Sequence, residues 1–271
     1  MTAPVRVSPT WLELREPADA AARATDLVDE LRRELPRRIV VHDLGCGTGS
    51  MGRWLAPRLA GAQHWVMYDR DADLLAHVPA RMPAAAADGS AITVETRRRD
   101  ITRLDHGELA GASLITTSAL LDMLSADEIA RIVTTSVGAG CPALLTISVT
   151  GRVELTPSDP LDETIAAAFN AHQRRSVDGR RLLGPDAADA AADMFARRGG
   201  DVLVRPSAWR LDEAHASLTT EWFAGWVGAA CEQQPELSGA VRAYVRRRRA
   251  DAAVGHLRVI VHHDDLLVLP R

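Results

Sequence analysis

Two carboxylates, Asp43 and Asp69, flank a glycine-rich stretch, Gly45-Cys46-Gly47-Thr48-Gly49-Ser50-Met51-Gly52. The β-branched run Ile39-Val40-Val41 precedes it and an apolar, helix-compatible segment follows, so the region reads as strand, tight turn, helix. Gly45, Gly47 and Gly49 have no Cβ, so they can take positive φ and let backbone approach a ligand while amides at the helix start point outward. Gly47 to Gly52 also fits the dinucleotide pattern GxGxxG, with an acid about 20 residues on. Asp43 weighs against that reading. A carboxylate ending the strand, two residues before Gly45, suits a cationic ligand and would repel a pyrophosphate.

The segment Asp43-Leu44-Gly45-Cys46-Gly47-Thr48-Gly49 resembles the first motif of the class I S-adenosylmethionine-dependent methyltransferases. Their cofactor carries a sulfonium and an ammonium, the positive charge that Asp43 would meet. Asp69, with Arg70 beside it, ends the second apolar run, where an acid can accept two charge-assisted hydrogen bonds from a ribose diol. The resemblance implies that Asp100, after the third strand, meets the adenine amino group and that Ile101 flanks the ring. It also implies Gly45, Cys46, Gly47 and Gly49 in the turn, and Ser118 and Leu120 near the methyl group. S-adenosylmethionine is the implied cofactor and S-adenosylhomocysteine the product; no metal pattern is present.

These residues need a doubly wound α/β sheet to position them. Strands are expected at about 38–43, 64–69, 92–99, 114–117 and 143–149, then 201–205 and 257–262. The family's Rossmann-like order, 3-2-1-4-5-7-6 with strand 7 antiparallel, is the expected sheet. A helix over 17–35, opened by Pro17, and the Trp11–Glu16 segment form an N-terminal lid (1–37), with Arg15 a candidate for a ligand carboxylate. The cofactor core spans 38–150, a substrate-selecting insertion 151–184, and C-terminal helices with closing strands 185–271, all in one domain. Ser125-Ala126-Asp127-Glu128 is a capping box.

Catalytic candidates are fewer. Asp122, beyond the fourth strand at the topological switch point, is a candidate substrate contact. His172 lies in the polar cluster Phe169–Arg175 and is the first candidate for a general base or substrate-positioning group, because imidazole titrates near working pH. Its bland alternative is an ordinary helix histidine. Trp222, Phe223 and Trp226 are spaced for core packing.

All 32 cationic residues are arginine and the formal charge is −4, so the chain has no general attraction for polyanions. Arg246–Arg249 is the one dense basic run, a solvated helix end or else a phosphate patch. Three widely spaced cysteines suggest reduced thiols. No apolar run approaches a membrane span and residues 1–6 lack a signal-peptide core, so a cytoplasmic protein, monomer or homodimer, is expected.

The leading expectation is methyl transfer to a small-molecule acceptor. Thr117-Ser118-Ala119-Leu120 stands where amino-group methylators of adenine or glutamine carry Asn-Pro-Pro-Tyr, and Cys141-Pro142 reverses the order found in pyrimidine C5 methylators. Nucleic acid is therefore a disfavoured acceptor, with RNA methylation through the arginine run the alternative. A non-catalytic cofactor-binding protein is a second alternative. A nicotinamide oxidoreductase lacks any Tyr-Lys pair, because the chain has no lysine.

Overall fold

The computed structural model describes residues 7–105 and 107–271; residues 1–6, read above for a targeting signal, lie outside them. Helix α1 (Pro9–Ala22) starts earlier than expected, because the Ser8 hydroxyl accepts from the Trp11 amide and Pro9 occupies the first helical position. Pro17 sits inside α1 instead of opening a helix, and the expected 17–35 helix breaks at Arg23-Ala24 before α2 (Thr25–Glu34). Buried Asp265 holds that break by accepting the Ala24 amide at 2.9 Å.

The central chain then alternates. In order come β1 (Arg38–Leu44), α3 (Ser50–Leu55), β2 (Ala62–Asp69), the short helices α4 (Ala72–Leu75) and α5 (Val78–Arg81), and β3 (Ile92–Arg98). They are followed by β4 (Leu114–Ser118), α6 (Ala126–Ala139) and β5 (Ala143–Thr156). The Ser125–Glu128 capping box forms at the start of α6. β5 runs well past the expected end at 149, so the boundary drawn at 150/151 falls inside a strand. Val153 and Leu155 alternate toward the core, and the extension pairs with the last strand.

The remainder comprises α7 (Asp162–Gln173), a hairpin of β6 (Ser176–Val177) and β7 (Arg180–Arg181), α8 (Ala187–Arg197), β8 (Asp201–Pro206) and β9 (Trp209–Leu211). Two helices, α9 (Ala216–Gln233) and α10 (Ser238–Ala253), lead to β10 (Arg258–Leu269). Sheet order is β3-β2-β1-β4-β5-β10-β8, with β9 also on β10. β1 to β5 are parallel and β10 is antiparallel to both β5 and β8. That is the expected 3-2-1-4-5-7-6 order with one extra short strand. The last strand is longer than expected: β8 pairs with residues 264–269, beyond the anticipated end at 262.

One face of the sheet packs Leu27 and Leu31 of α2 with Met51, Trp54 and Leu55 of α3, and the other packs Ile129 and Val133 of α6 with Phe195 of α8. A third cluster joins the β5 and β10 extensions to α7, α9 and α10, with Trp222, Phe223 and Trp226 buried as expected. No helix of the described residues is long and apolar enough to cross a membrane.

The basic run on α10 is not simply solvated. Arg248 is 2% exposed and its guanidinium donates to both Asp162 oxygens and to the Pro157 carbonyl, while Arg247 pairs with Asp159 at 2.7 Å. The Tyr244 hydroxyl also donates to Asp162, at 2.7 Å. Half of the run is therefore spent clamping the 157–162 loop. Arg248→Ala is expected to lower stability by about 2–3 kcal/mol, because it strips charge-assisted bonds from a shielded carboxylate. Thermal melting against Arg249→Ala checks this, since Arg249 is exposed; equal melting temperatures would refute it.

Candidate active site

The glycine turn joins β1 to α3 with Gly45, Gly47 and Gly49 at φ +69°, +56° and +89°. Only glycine takes three such values without strain. A Cβ at Gly45 would also stand 2.9 Å from the Leu120 side chain, and one at Gly47 3.1 Å from Leu12 of α1. Backbone is thereby brought close to the wall on both sides.

Asp69 ends β2 and organises the turn. Its Oδ2 accepts the Gly47 amide and its Oδ1 the Asp71 amide, each at 2.9 Å. Each oxygen keeps a lone pair for a further donor. The Cys46 amide donates to the Tyr68 carbonyl at 2.8 Å, and burial pushes the Cys46 thiol well above its usual range. Arg70 is exposed on the same wall. Asp71 caps α4 by accepting the Asp73 amide at 2.9 Å.

Asp43 is 1% exposed at the end of β1. Its Oδ1 accepts from the Thr116 hydroxyl at 2.7 Å, and its buried Oδ2 has no partner among the described residues. A buried charged oxygen left unpaired is costly unless a ligand completes it. Arg23, also buried, shows the opposite sign of the same pattern. Its Nη2 donates to Ser118 Oγ at 3.0 Å and lies 3.5 Å from Ser50 Oγ, whereas its Nη1 has no partner among the described residues. Ser50 and Ser118 both line the cavity. A carboxylate with an open oxygen on the wall and a buried guanidinium behind Ser50 and Ser118 suit the zwitterionic amino-acid end of a cofactor.

Asp100 and Ile101 line the cavity beyond β3. The Asp100 carboxylate accepts from the Thr102 amide and hydroxyl, at 3.1 and 2.7 Å, and approaches Arg103 at 3.4 Å. Part of its capacity is thus spent on a local cap. Leu120 projects over Gly45. Asp122 lines the far end, its Oδ2 accepting from Gln173 Nε2 at 3.3 Å; burial raises its pKa, opposed by the Arg15 and Arg175 charges.

His172 is not brought to this wall. Its Nε2 lies 3.1 Å from Glu232 of α9 and its Nδ1 3.3 Å from Arg175 Nη1. The expectation of a general base there is corrected: the ring is turned toward α9, and Arg175, not His172, faces the cavity. Arg15 does line it, but its guanidinium is already bidentate with Asp19, at 3.0 and 3.2 Å, and lies 4.9 Å from the Trp209 ring centre. The sequence reading missed Arg23, Asp265 and Arg175. It also missed the β6–β7 hairpin, although Asp178-Gly179 is the dipeptide that favours such a turn.

Asp43, the glycine turn, Asp69, Asp100, Ile101, Ser118, Leu120, Asp122 and Arg175 share one cavity of about 1180 Å³, running from Arg70 and Asp100 past the glycine turn to Asp122 and the hairpin residues Val177, Asp178 and Arg180. Residues 41–142 match the family model described as a methyltransferase domain. This match covers β1 to the start of β5, the segment that carries the turn, Asp43, Asp69, Asp100 and Asp122. The matched segment is thus similar to a methyltransferase domain, in agreement with the resemblance carried by the glycine turn.

Similar solved structures include a cyclopropane-fatty-acyl-phospholipid synthase-like protein from Lactobacillus casei. It has a TM-score of 0.54 and 15% identity, with 98% of this chain and 94% of that one covered, which supports the fold. A Geobacter sulfurreducens S-adenosylmethionine-dependent methyltransferase in complex with S-adenosylhomocysteine (TM-score 0.45, 17% identity, 97% and 99% covered) is also similar. So is a Synechocystis magnesium protoporphyrin IX methyltransferase with S-adenosylhomocysteine bound (TM-score 0.45, 16% identity, 76% and 83% covered). No curated protein sequence matches significantly.

Burial pushes the Asp43 carboxyl up to about 7, with Thr116 and Arg23 opposing the rise and Asp69 adding to it. The folded value lies above the unfolded one, so the native state holds a proton that the unfolded chain loses between about pH 4 and 7; this contribution to stability falls across that window and is flat above it. A cationic ligand favours the ionised form. Affinity for S-adenosylhomocysteine, whose ammonium is the cation, is therefore expected to rise by up to about tenfold per unit toward pH 7 and to level beyond it. Calorimetric titration from pH 5.5 to 8.5 tests this; Asp43→Asn should flatten the profile, and a flat wild-type profile would contradict the assignment.

Proposed function

We propose that the chain is an S-adenosylmethionine-dependent methyltransferase that modifies a small-molecule acceptor, with Asp122 taking up the proton released. The observation that carries this reading is the continuity of the cavity. At about 1180 Å³ it exceeds the roughly 300–1,000 Å³ typical of a single ligand site, which leaves room for an acceptor beside the cofactor.

S-adenosylmethionine supplies an electrophilic methyl carbon and a thioether leaving group when bound. The chain's own residues bind and align. Asp69 holds the ribose hydroxyls and Asp100 and Ile101 border the adenine. Asp43 takes the ammonium, and Arg23, behind Ser50 and Ser118, favours the carboxylate. Ser118 and Leu120 border the reacting carbon. Asp122 faces the acceptor space enclosed by Trp11, Ile147, Val149 and the β6–β7 hairpin. With the methyl donor held by these groups, Asp122 would stand on the acceptor side, placed to take up the proton that an acceptor releases. Burial raises the pKa of that carboxyl, which suits it to this task.

The wall around Ile147 is held from below. Asp265 accepts the Ile147 amide at 2.7 Å and the Ser207 hydroxyl at 2.6 Å, fixing Ile147 at φ +56°. Such a value is strained for a β-branched residue and supports a built acceptor wall. The RNA alternative is weakened because Arg247 and Arg248 are already paired within the fold.

Isothermal titration with S-adenosylhomocysteine and with NAD tests the cofactor half of this reading. One-to-one binding of the first and none of the second is expected; the reverse would overturn it.

A further inference from the structure

Among the arginines that line the cavity, Arg175 is set apart. Arg15 is paired with Asp19, Arg180 with Glu128, Arg99 with Glu108 and Arg103 with Asp100, while Arg70, Arg98 and Arg131 are exposed to water. Arg175 is partly buried, and among the described residues no carboxylate lies within ion-pair distance of it. A partly buried guanidinium with no ion-pair partner favours an anionic ligand that can supply one.

It is also aimed. Arg175 Nη1 donates to the His172 carbonyl at 3.0 Å and meets His172 Nδ1 at 3.3 Å, while His172 Nε2 faces Glu232 at 3.1 Å. With the His172 proton on Nε2, donated to Glu232, Nδ1 is the acceptor that Arg175 needs. Among the described residues no acceptor engages Arg175 Nε or Nη2. Two donors of a planar fork are thus left for an oxyanion.

The charges nearby leave the anion little competition. Arg15 pairs with Asp19 and Arg180 with Glu128, and Asp178 is exposed to water, which leaves Arg175 and Asp122, each feeling the other's charge without an ion pair between them, as the inward groups at this end. The two point to different parts of one ligand. A bound molecule satisfies both when it offers an oxyanion to Arg175 and a hydrogen-bond donor to Asp122.

We propose that the methyl acceptor is a small organic oxyanion, a carboxylate or phosphate ester, whose anionic group is held by Arg175 while its hydroxyl or amino group faces Asp122. Arg175 is the specificity-determining residue, and His172 with Glu232 is its positioning pair. This rests on the methyltransferase reading of the same cavity.

The test uses the full chain saturated with S-adenosylhomocysteine and a panel of small aromatic and aliphatic carboxylates, each matched by its neutral carboxamide, followed by ligand-observed NMR. Calorimetry of S-adenosylhomocysteine runs in parallel. Carboxylates are expected to bind at least about tenfold more tightly than their amides. Arg175→Gln should erase that preference with cofactor affinity unchanged, Arg175→Lys should keep part of it, and His172→Ala should reduce it. Equal binding of the two sets, a preference that survives Arg175→Gln, or no carboxylate binding to the loaded protein would overturn the proposal. Failure to bind S-adenosylhomocysteine at all would strike the underlying reading instead.

Discussion

Asp69→Ala is expected to weaken S-adenosylhomocysteine binding by at least about a hundredfold. Two charge-assisted bonds to the ribose, each contributing about 1.5–3 kcal/mol, are lost together, which sums to about 3–6 kcal/mol. The Gly47 and Asp71 amides also lose their acceptor, so the glycine turn itself loosens. Asp69→Asn should fall between, because its amide keeps one acceptor oxygen but turns a donor toward one of those two N–H groups. Calorimetry measures the affinity, and thermal melting shows whether the fold survives. An unchanged dissociation constant in Asp69→Ala would remove this residue from the cofactor site.

The second large effect lies at the other end of the cavity. Asp122→Asn is expected to reduce turnover by about 10²–10⁴-fold while cofactor affinity holds, the range that loss of a positioned general base produces. Gln173 can still hydrogen-bond the new amide, so the local packing is retained. In the wild type, burial raises the Asp122 pKa and the ionised form is the active one, so the rate should rise with pH through that raised value and then level. The rate of S-adenosylhomocysteine formation at saturating acceptor reads both effects. Wild-type turnover in Asp122→Asn would return this carboxylate to a structural role.

Which parts of the site were legible in the sequence follows from where their constraints lie. The glycines, Asp43 and Asp69 could be read because a strand-turn-helix and an acid at a strand end are local patterns. The alternation of elements implied a doubly wound sheet, and the family resemblance supplied its strand order. Arg23 could not be read, because its partners Ser118 and Thr146 lie 95 and 123 residues away. Asp265 could not either, since it reaches the Ala24 amide across 241 residues. His172 was chosen for its chemistry, but the direction of its ring is set by Glu232, 60 residues on, and that turns it off the wall. Its neighbour Arg175 then inherits the cavity.

The extent of β5 was hidden for a related reason. The strand was expected to end at 149, yet Val153 and Leu155 continue it because β10 supplies partners through Val261 and Val259. Arg248 looked like part of a solvated run, and only the fold places Asp162 beneath it.

The central claim is that the bend between β1 and α3, with an acid on either side, seats an adenosyl amino acid. A crystal structure of the full chain with S-adenosylhomocysteine tests it most directly. The account predicts the ribose hydroxyls on Asp69 and the ammonium within hydrogen-bonding distance of the unpartnered Asp43 Oδ2. A nucleoside bound elsewhere, or an amino-acid end facing away from Asp43, would contradict it.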